Sequence, residues 1–237
     1  MNSDVVSGSS RTSVTSSSGI AVSHLSRAFG PKEVLRGVSF EIRTGEVFAL
    51  LGVNGSGKTT LLEILATLLY PTSGSASIHG FDVVRDAAAV RRLIGYGPSS
   101  LHSFYPRLTG AQNLEFFGAL SGLSRRELHI RAGLLLERLD LRDAAGQRVE
   151  RYSDGMKARL SIARTLLPSP SVLLLDEPTK SLDAAGRESA RRLLLEDSPA
   201  GSPRTILWIT HDRQEAADVA DRVGVLADGR VQEGEGP

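Results

Sequence analysis

The chain has 237 residues, a formal net charge of +1 and no cysteine. Disulfides and thiolate metal centres are thereby excluded, and the charge balance gives no global reason to expect a nucleic-acid partner. The length suits one large domain or a core domain with an inserted subdomain, and no stretch approaches the roughly 20 apolar residues that span a bilayer.

Residues 1–19 are rich in serine and poor in large apolar side chains, so a disordered tail is expected there, and no secretory leader. Ile20–Leu25 and Val38–Ile42 read as strands flanking a turn at Phe29-Gly30-Pro31-Lys32. Glu46–Leu51 reads as a buried strand and Leu61–Leu69 as a helix. A strand at Ser75–His79, a helix over Asp86–Leu93 and a strand at Ile94–Tyr96 follow, the last running into the Gly97-Pro98 break.

Then the character changes. Thr109…Gln112 and Ser124…Glu127 are capping-box patterns ahead of apolar segments, which predicts a mostly helical insert over about 99–151. Beyond it, strands at Val172–Leu175 and Thr205–Ile209 alternate with helices at Ala184–Leu195 and Arg213–Ala220. Asp228-Gly229 then marks a hairpin between Val223–Ala227 and Arg230-Val231. Residues 233–237 are expected to fray. The predicted fold is α/β, a mixed sheet core with flanking helices, an N-terminal antiparallel β portion and the helical insert, within one domain over 20–232.

Between the strand at Glu46–Leu51 and the following helix lies Gly52-Val53-Asn54-Gly55-Ser56-Gly57-Lys58-Thr59-Thr60, which fits the phosphate-loop pattern G-x-x-x-x-G-K-[ST]. Glycines at 52, 55 and 57 allow successive N–H groups to face one anion, and the helix start adds partial positive charge. Lys58 then reaches the terminal phosphates, and the Thr59 hydroxyl is suited to a magnesium ion. A second signal is the apolar strand ending in Asp176-Glu177. In a parallel sheet, Asp176 sits where it can hold that magnesium and Glu177 where it can prepare a water. Thr179-Lys180-Ser181-Leu182 approaches the guanine-reading [NT]-K-x-D pattern, but Leu182 occupies the carboxylate position and Asp183 falls one residue late. GTP recognition is rejected.

With these motifs in order, Tyr152-Ser153-Asp154-Gly155-Met156 resembles the LSGGQ signature of the nucleotide-binding subunits of ABC transporters, and the chain resembles that family from Ile20 to about Gln232. The bland reading of this segment is a capped helix whose Arg159 and Arg164 face water. The resemblance implies an ATPase using ATP and Mg2+, with Glu177, His211 and Lys58 catalytic and Thr59 and Asp176 on the metal. It implies that Phe29 stacks on adenine, although a core phenylalanine is a serious rival reading.

It also implies a partner subunit, a second copy or close paralogue, whose Ser153 and Gly155 close over the nucleotide, with Asp183 in the interface loop. The subunit would work peripherally at the cytoplasmic face of the membrane, driving a separate permease docked near Phe104-Tyr105-Pro106-Arg107, with drugs, glycans or lipids exported. A soluble ABC-type ATPase and a nucleotide-sensing regulatory module remain as alternatives. Two departures stand out. Ser99 occupies the position of the family's usual glutamine, which puts that residue's metal contact in doubt. Asp154 replaces a signature glycine, and its carboxylate is expected to point away from the site or to meet an arginine such as Arg151. The remaining histidines, His24, His79, His102 and His129, carry no assigned role.

Overall fold

A computed structural model describes residues 18–101, 103–196 and 201–233. The expected serine-rich tail falls almost wholly outside the described residues, as does most of the expected fraying end. Two long strands open the chain, β1 (Ser18–Phe29) and β2 (Lys32–Arg43), hinged by the predicted Gly30-Pro31 turn. Both run well past their predicted ends. After them come β3 (Val47–Leu51), α1 (Lys58–Leu65), β4 (Ser73–Ile78), the two-residue β5 (Phe81–Asp82), α2 (Ala87–Leu93) and β6 (Ile94–Gly97).

Helix α1 starts three residues earlier than the apolar run suggests and stops four earlier. Leu68 and Leu69 instead donate their N–H groups to the Glu63 carbonyl, and Thr67 turns left-handed at φ 62° to end the helix. The next segment supplies α3 (Gly110–Leu120) and α4 (Arg125–Arg138), then a single 3-10 turn at Val149–Arg151. Both capping boxes close as predicted. Thr109 and Ser124 accept from the N–H groups of Gln112 and Glu127, whose side chains return the bond. The chain continues through α5 (Asp154–Leu166), β7 (Val172–Asp176), α6 (Ala184–Leu195), β8 (Thr205–Thr210), α7 (Arg213–Val219), β9 (Arg222–Ala227) and β10 (Arg230–Glu233).

Two sheets form. One is antiparallel, in the order β2-β1-β4-β5; the other has six strands in the order β10-β9-β3-β8-β7-β6. In the second, β6, β7, β8, β3 and β9 are parallel, and β10 closes the edge antiparallel to β9. The mixed core and antiparallel β portion are thus as expected.

Strand alternation divides the six-stranded sheet between two cores. Val172, Leu174, Leu207 and Ile209 face the antiparallel sheet and α1, together with Phe48 and Leu50. Leu173, Leu175, Ile206 and Trp208 face the other way, into a core shared with α3, α4, α5 and α6. Every residue of β7 and β8 is buried, which explains their unbroken apolar reading.

Gly224 marks a close approach in β9. A Cβ there would lie 2.6 Å from the tip of the Phe48 ring, which is itself stacked on Phe40 at 5.6 Å. The ring is fully buried, so it can yield only by displacing its neighbours. Gly224→Ala is therefore expected to cost about 1–3 kcal/mol, or roughly 5 °C of melting temperature by thermal denaturation.

Candidate functional site

The parallel strands β3, β6, β7 and β8 deliver the chemically active residues from their carboxyl ends, where open α/β sheets hold ligands. The loop after β3 carries Gly55 and Gly57 at φ 81° and 107°, conformations that side-chain-bearing residues rarely adopt. Gly57 has a steric reason as well, because a Cβ would sit 2.9 Å from Leu35 Cδ2 and 3.1 Å from the Val34 carbonyl. Gly52 is pressed in the same way against the Leu226 carbonyl, 2.6 Å from where its Cβ would be.

Lys58 opens α1 and is 7% exposed. Its ammonium donates to the carbonyls of Gly52 at 2.6 Å and Val53 at 2.9 Å, so the loop satisfies its own buried cation. Burial lowers its pKa, and the carboxylates of Glu177 and Asp176 pull the other way.

Asp176, at the end of β7, is buried. One carboxylate oxygen, Oδ2, accepts from the Thr59 hydroxyl at 2.9 Å and from the Ser99 hydroxyl at 3.1 Å. Strand β8 lies between β3 and β7, so the sheet alone does not bring loop and carboxylate together. Helix α1 does, by packing across onto β7.

Glu177 follows in a left-handed conformation at φ 51°, with its N–H on the Ile209 carbonyl at 2.9 Å. A non-glycine residue held there costs about 1–3 kcal/mol, and such strain gathers at functional sites. The Glu177 side chain meets His211 at 2.6 Å, from Oε1 to Nδ1, the histidine arriving just beyond β8.

Lys58, Thr59, Ser99, Asp176 and Glu177, though not His211, border a cavity of about 340 Å³. Its walls include Asn54, Gly55, Gly57, Lys58, Thr59, Thr60, Ser99, Asp176 and Glu177. Lys32, Val34 and Lys180 complete it and were not anticipated. Two of these three are lysines close to recognised motifs, Lys32 just past the Gly30-Pro31 turn and Lys180 three residues after Glu177. A second cavity of about 20 Å³, roomy enough for one water, shares Ser99, Glu177 and Lys180 with the first.

Phe29, Gly52, Ser56 and His211 are not among the residues lining the larger cavity, although Gly52 and His211 each touch one that is. Phe29 is 46% exposed at the end of β1 with the Arg27 guanidinium 4.5 Å from its ring centre, so it is no core residue.

Ser153 and Gly155 lie at the start of α5, also outside the cavity wall. The Ser153 hydroxyl caps α5 by accepting from the Met156 N–H at 3.2 Å. Asp154 is exposed and pairs with Lys157 at 3.3 Å, not with Arg151, because i,i+3 spacing puts Lys157 on the same helix face. Asp183 caps α6 through the Gly186 N–H at 2.8 Å.

Arg164 does not face water. It lies over the rings of Phe104 and Phe117 at 4.8 and 5.0 Å, donates to the Ser103 carbonyl and hydroxyl, and burial lowers its pKa to about 10.

A phosphate loop opening a helix beside the acidic end of a parallel strand is the architecture of a P-loop nucleoside-triphosphate-binding domain. Residues 35–180 match the family model for the ABC transporter family. The chain is 42% identical over 216 residues to the daunorubicin resistance ATP-binding protein DrrA3 of Streptomyces coeruleorubidus, spanning 90% of this chain and 66% of that protein. It is 37% identical over 216 residues to the ABC transporter ATP-binding protein NatA of Bacillus subtilis, across 90% and 87% of the two chains. The phospholipid-transporting ATPase ABCA3 of Mus musculus is 38% identical over 218 residues, 13% of its own length and 90% of this chain. A solved dimeric bacterial ABC transporter cassette, MJ0796, aligns with a TM-score of 0.82 at 28% identity, covering 91% of this chain and 98% of that one. The chain belongs to the ABC transporter family, as an ATP-binding subunit.

The turn after Glu177 is tied down from below. The hydroxyl of Thr179 donates to the buried carboxylate of Glu215, which also faces Arg191 at 3.7 Å. Thr179→Val removes that donor and leaves part of a buried carboxylate unpaired. It is expected to lower the melting temperature by roughly 5 °C, with Thr179→Ser close to the parent.

Proposed function

We propose that this subunit hydrolyses ATP to drive transport through a separate permease. The observation that carries this reading is the convergence of Lys58, Thr59, Asp176 and Glu177 around one cavity, with His211 bonded to Glu177 from outside its wall. Thr59 and Asp176 are hard oxygen donors already in contact at 2.9 Å, the donor chemistry that suits Mg2+. Bound there, Mg2+ would neutralise charge on the phosphates and polarise the transferred group. The loop N–H groups and Lys58 hold the phosphates, the lysine exchanging its two carbonyl partners for phosphate oxygens.

Glu177 is strained into position and bonded to His211, so its carboxylate is fixed to orient a water toward the terminal phosphorus. His211 is the exposed member of that pair and supports the γ-phosphate. Phe29, exposed at the tip of β1 with Arg27 over one face of its ring, stacks on adenine through the other face.

The site is completed by a second copy or a close paralogue. Ser153 and Gly155 lie away from the chain's own cavity, at a capped helix start whose N–H groups suit an anion, and Asp183 lies 3.9 Å from Arg159 of that helix. The solved cassette named as dimeric supports this arrangement. None of the helices among the described residues is long and apolar enough to cross a membrane, which accords with a peripheral subunit at the cytoplasmic face.

The permease docks at an aromatic edge where exposed Tyr105 and Phe116 meet at 4.7 Å, beside Pro106 and Arg107. Relatives named for daunorubicin resistance and phospholipid transport favour export of an amphipathic cargo.

A Glu177→Gln variant is expected to bind ATP as tightly as the parent while phosphate release falls by on the order of 100-fold. Light scattering should show it dimeric with ATP. An undiminished rate would remove Glu177 from the mechanism, and a parent that stays monomeric and fully active at every dilution would remove the second copy.

A further inference from the structure

Three lysines line the phosphate cavity, and each comes from a different segment. Lys58 belongs to the loop, Lys32 begins β2, and Lys180 sits on the turn between Glu177 and α6. The phosphate-loop pattern accounts for Lys58. Lys180 falls in the Thr179-Lys180-Ser181-Leu182 run, which lacks the carboxylate of a guanine reader and so leaves its lysine without a purpose.

The backbone under Lys180 is fixed on both sides. Its N–H points to the Glu177 carbonyl at 3.3 Å, the Leu182 N–H donates to the Thr179 carbonyl at 3.0 Å, and Thr179 is anchored on Glu215. Among the described residues Lys157 forms an ion pair with Asp154, whereas Lys32 and Lys180 have no carboxylate partner.

Charge balance gives the unpaired lysines a task, and position beside Glu177 singles out Lys180. The cavity wall carries three lysines, Lys32, Lys58 and Lys180, against two carboxylates, Asp176 and Glu177. Without Lys180 these formal charges cancel, yet a triphosphate with one divalent cation still carries net negative charge. The terminal phosphate also lies nearest the Glu177 carboxylate in the proposed mechanism, where it meets repulsion. Lys180 follows Glu177 by three residues and borders the cavity with Asp176 and Ser99, at that same end.

We infer that Lys180 is a specificity-determining residue that holds the terminal phosphate, so that the site separates ATP from ADP through a cation outside the phosphate loop. This rests on the nucleotide reading above. Because the lysine is exposed, its contact is screened and weakens as salt rises.

The test is isothermal titration of the full chain with Mg2+ and either AMP-PNP or ADP, on the parent, Lys180→Ala and Lys180→Arg. Lys180→Ala should bind AMP-PNP roughly five- to tenfold more weakly with ADP affinity nearly unchanged, and Lys180→Arg should recover most of the loss. The melting temperature should not move. Equal weakening for both nucleotides, no weakening at all, or an arginine variant as weak as the alanine one would each overturn the assignment. A parent that binds neither nucleotide would overturn the nucleotide reading itself, which separates that failure from this one.

Discussion

One carboxylate oxygen organises the site. Asp176 Oδ2 receives the hydroxyl of Thr59 from the start of α1 and that of Ser99 from the loop after β6, while its own backbone is fixed by β7. A buried carboxylate without donors would be expensive, so both hydroxyls stabilise the position they mark. Three segments far apart in sequence are thereby brought to one point. Parallel register makes this possible, since Gly97 pairs with Leu175 and Asp176 with Ile209, so neighbouring strands end at nearly the same level. The phosphate loop, Asp176, Glu177 and His211 all leave the sheet at that level.

The same end of the sheet carries two costly features. Lys58 is buried on carbonyls that could be exchanged for phosphate, and Glu177 is left-handed without being glycine. Elsewhere the packing is ordinary, with β7 and β8 wholly buried and helices covering both faces. The strain at Glu177 is tolerable because two apolar cores hold the surrounding backbone. It also pre-sets the geometry, so that little reorganisation is needed when a triphosphate enters.

The sequence disclosed the parts of this molecule that depend on local chemistry. Capping boxes, the Asp228-Gly229 hairpin, the phosphate loop and the acidic strand end each encode their own conformation, and the structure follows them. Features that depend on distant partners were harder to read. The end of α1 is set by a left-handed Thr67 with no glycine to announce it, and the extended ends of β1 and β2 come from pairing with each other. The burial of Arg164 needed the folded positions of Phe104 and Phe117. Ser99 illustrates the limit well. Its short side chain put a metal contact in doubt, and nothing in the sequence signalled that the fold brings its hydroxyl onto Asp176.

That contact bears on how a membrane partner would be felt. Four residues after Ser99 in sequence, Arg164 grips the carbonyl and hydroxyl of Ser103 and packs on Phe104 and Phe117. Arg164 lies in the last turn of α5, and the first turn of that helix begins at Ser153. At 1.5 Å per residue the helix is about 20 Å long, a stiff connection between the two. The exposed Tyr105–Phe116 pair sits directly beside the Arg164 anchor, Phe117 being shared by both clusters. In the proposed assembly, a force applied to that aromatic edge would have two short mechanical routes, one through the segment of Ser99 to this chain's own Asp176 and one along α5 to the Ser153 end proposed to meet another copy. In the proposed transporter, a single docking surface would then act on both halves of a shared nucleotide site, without a separate element for each.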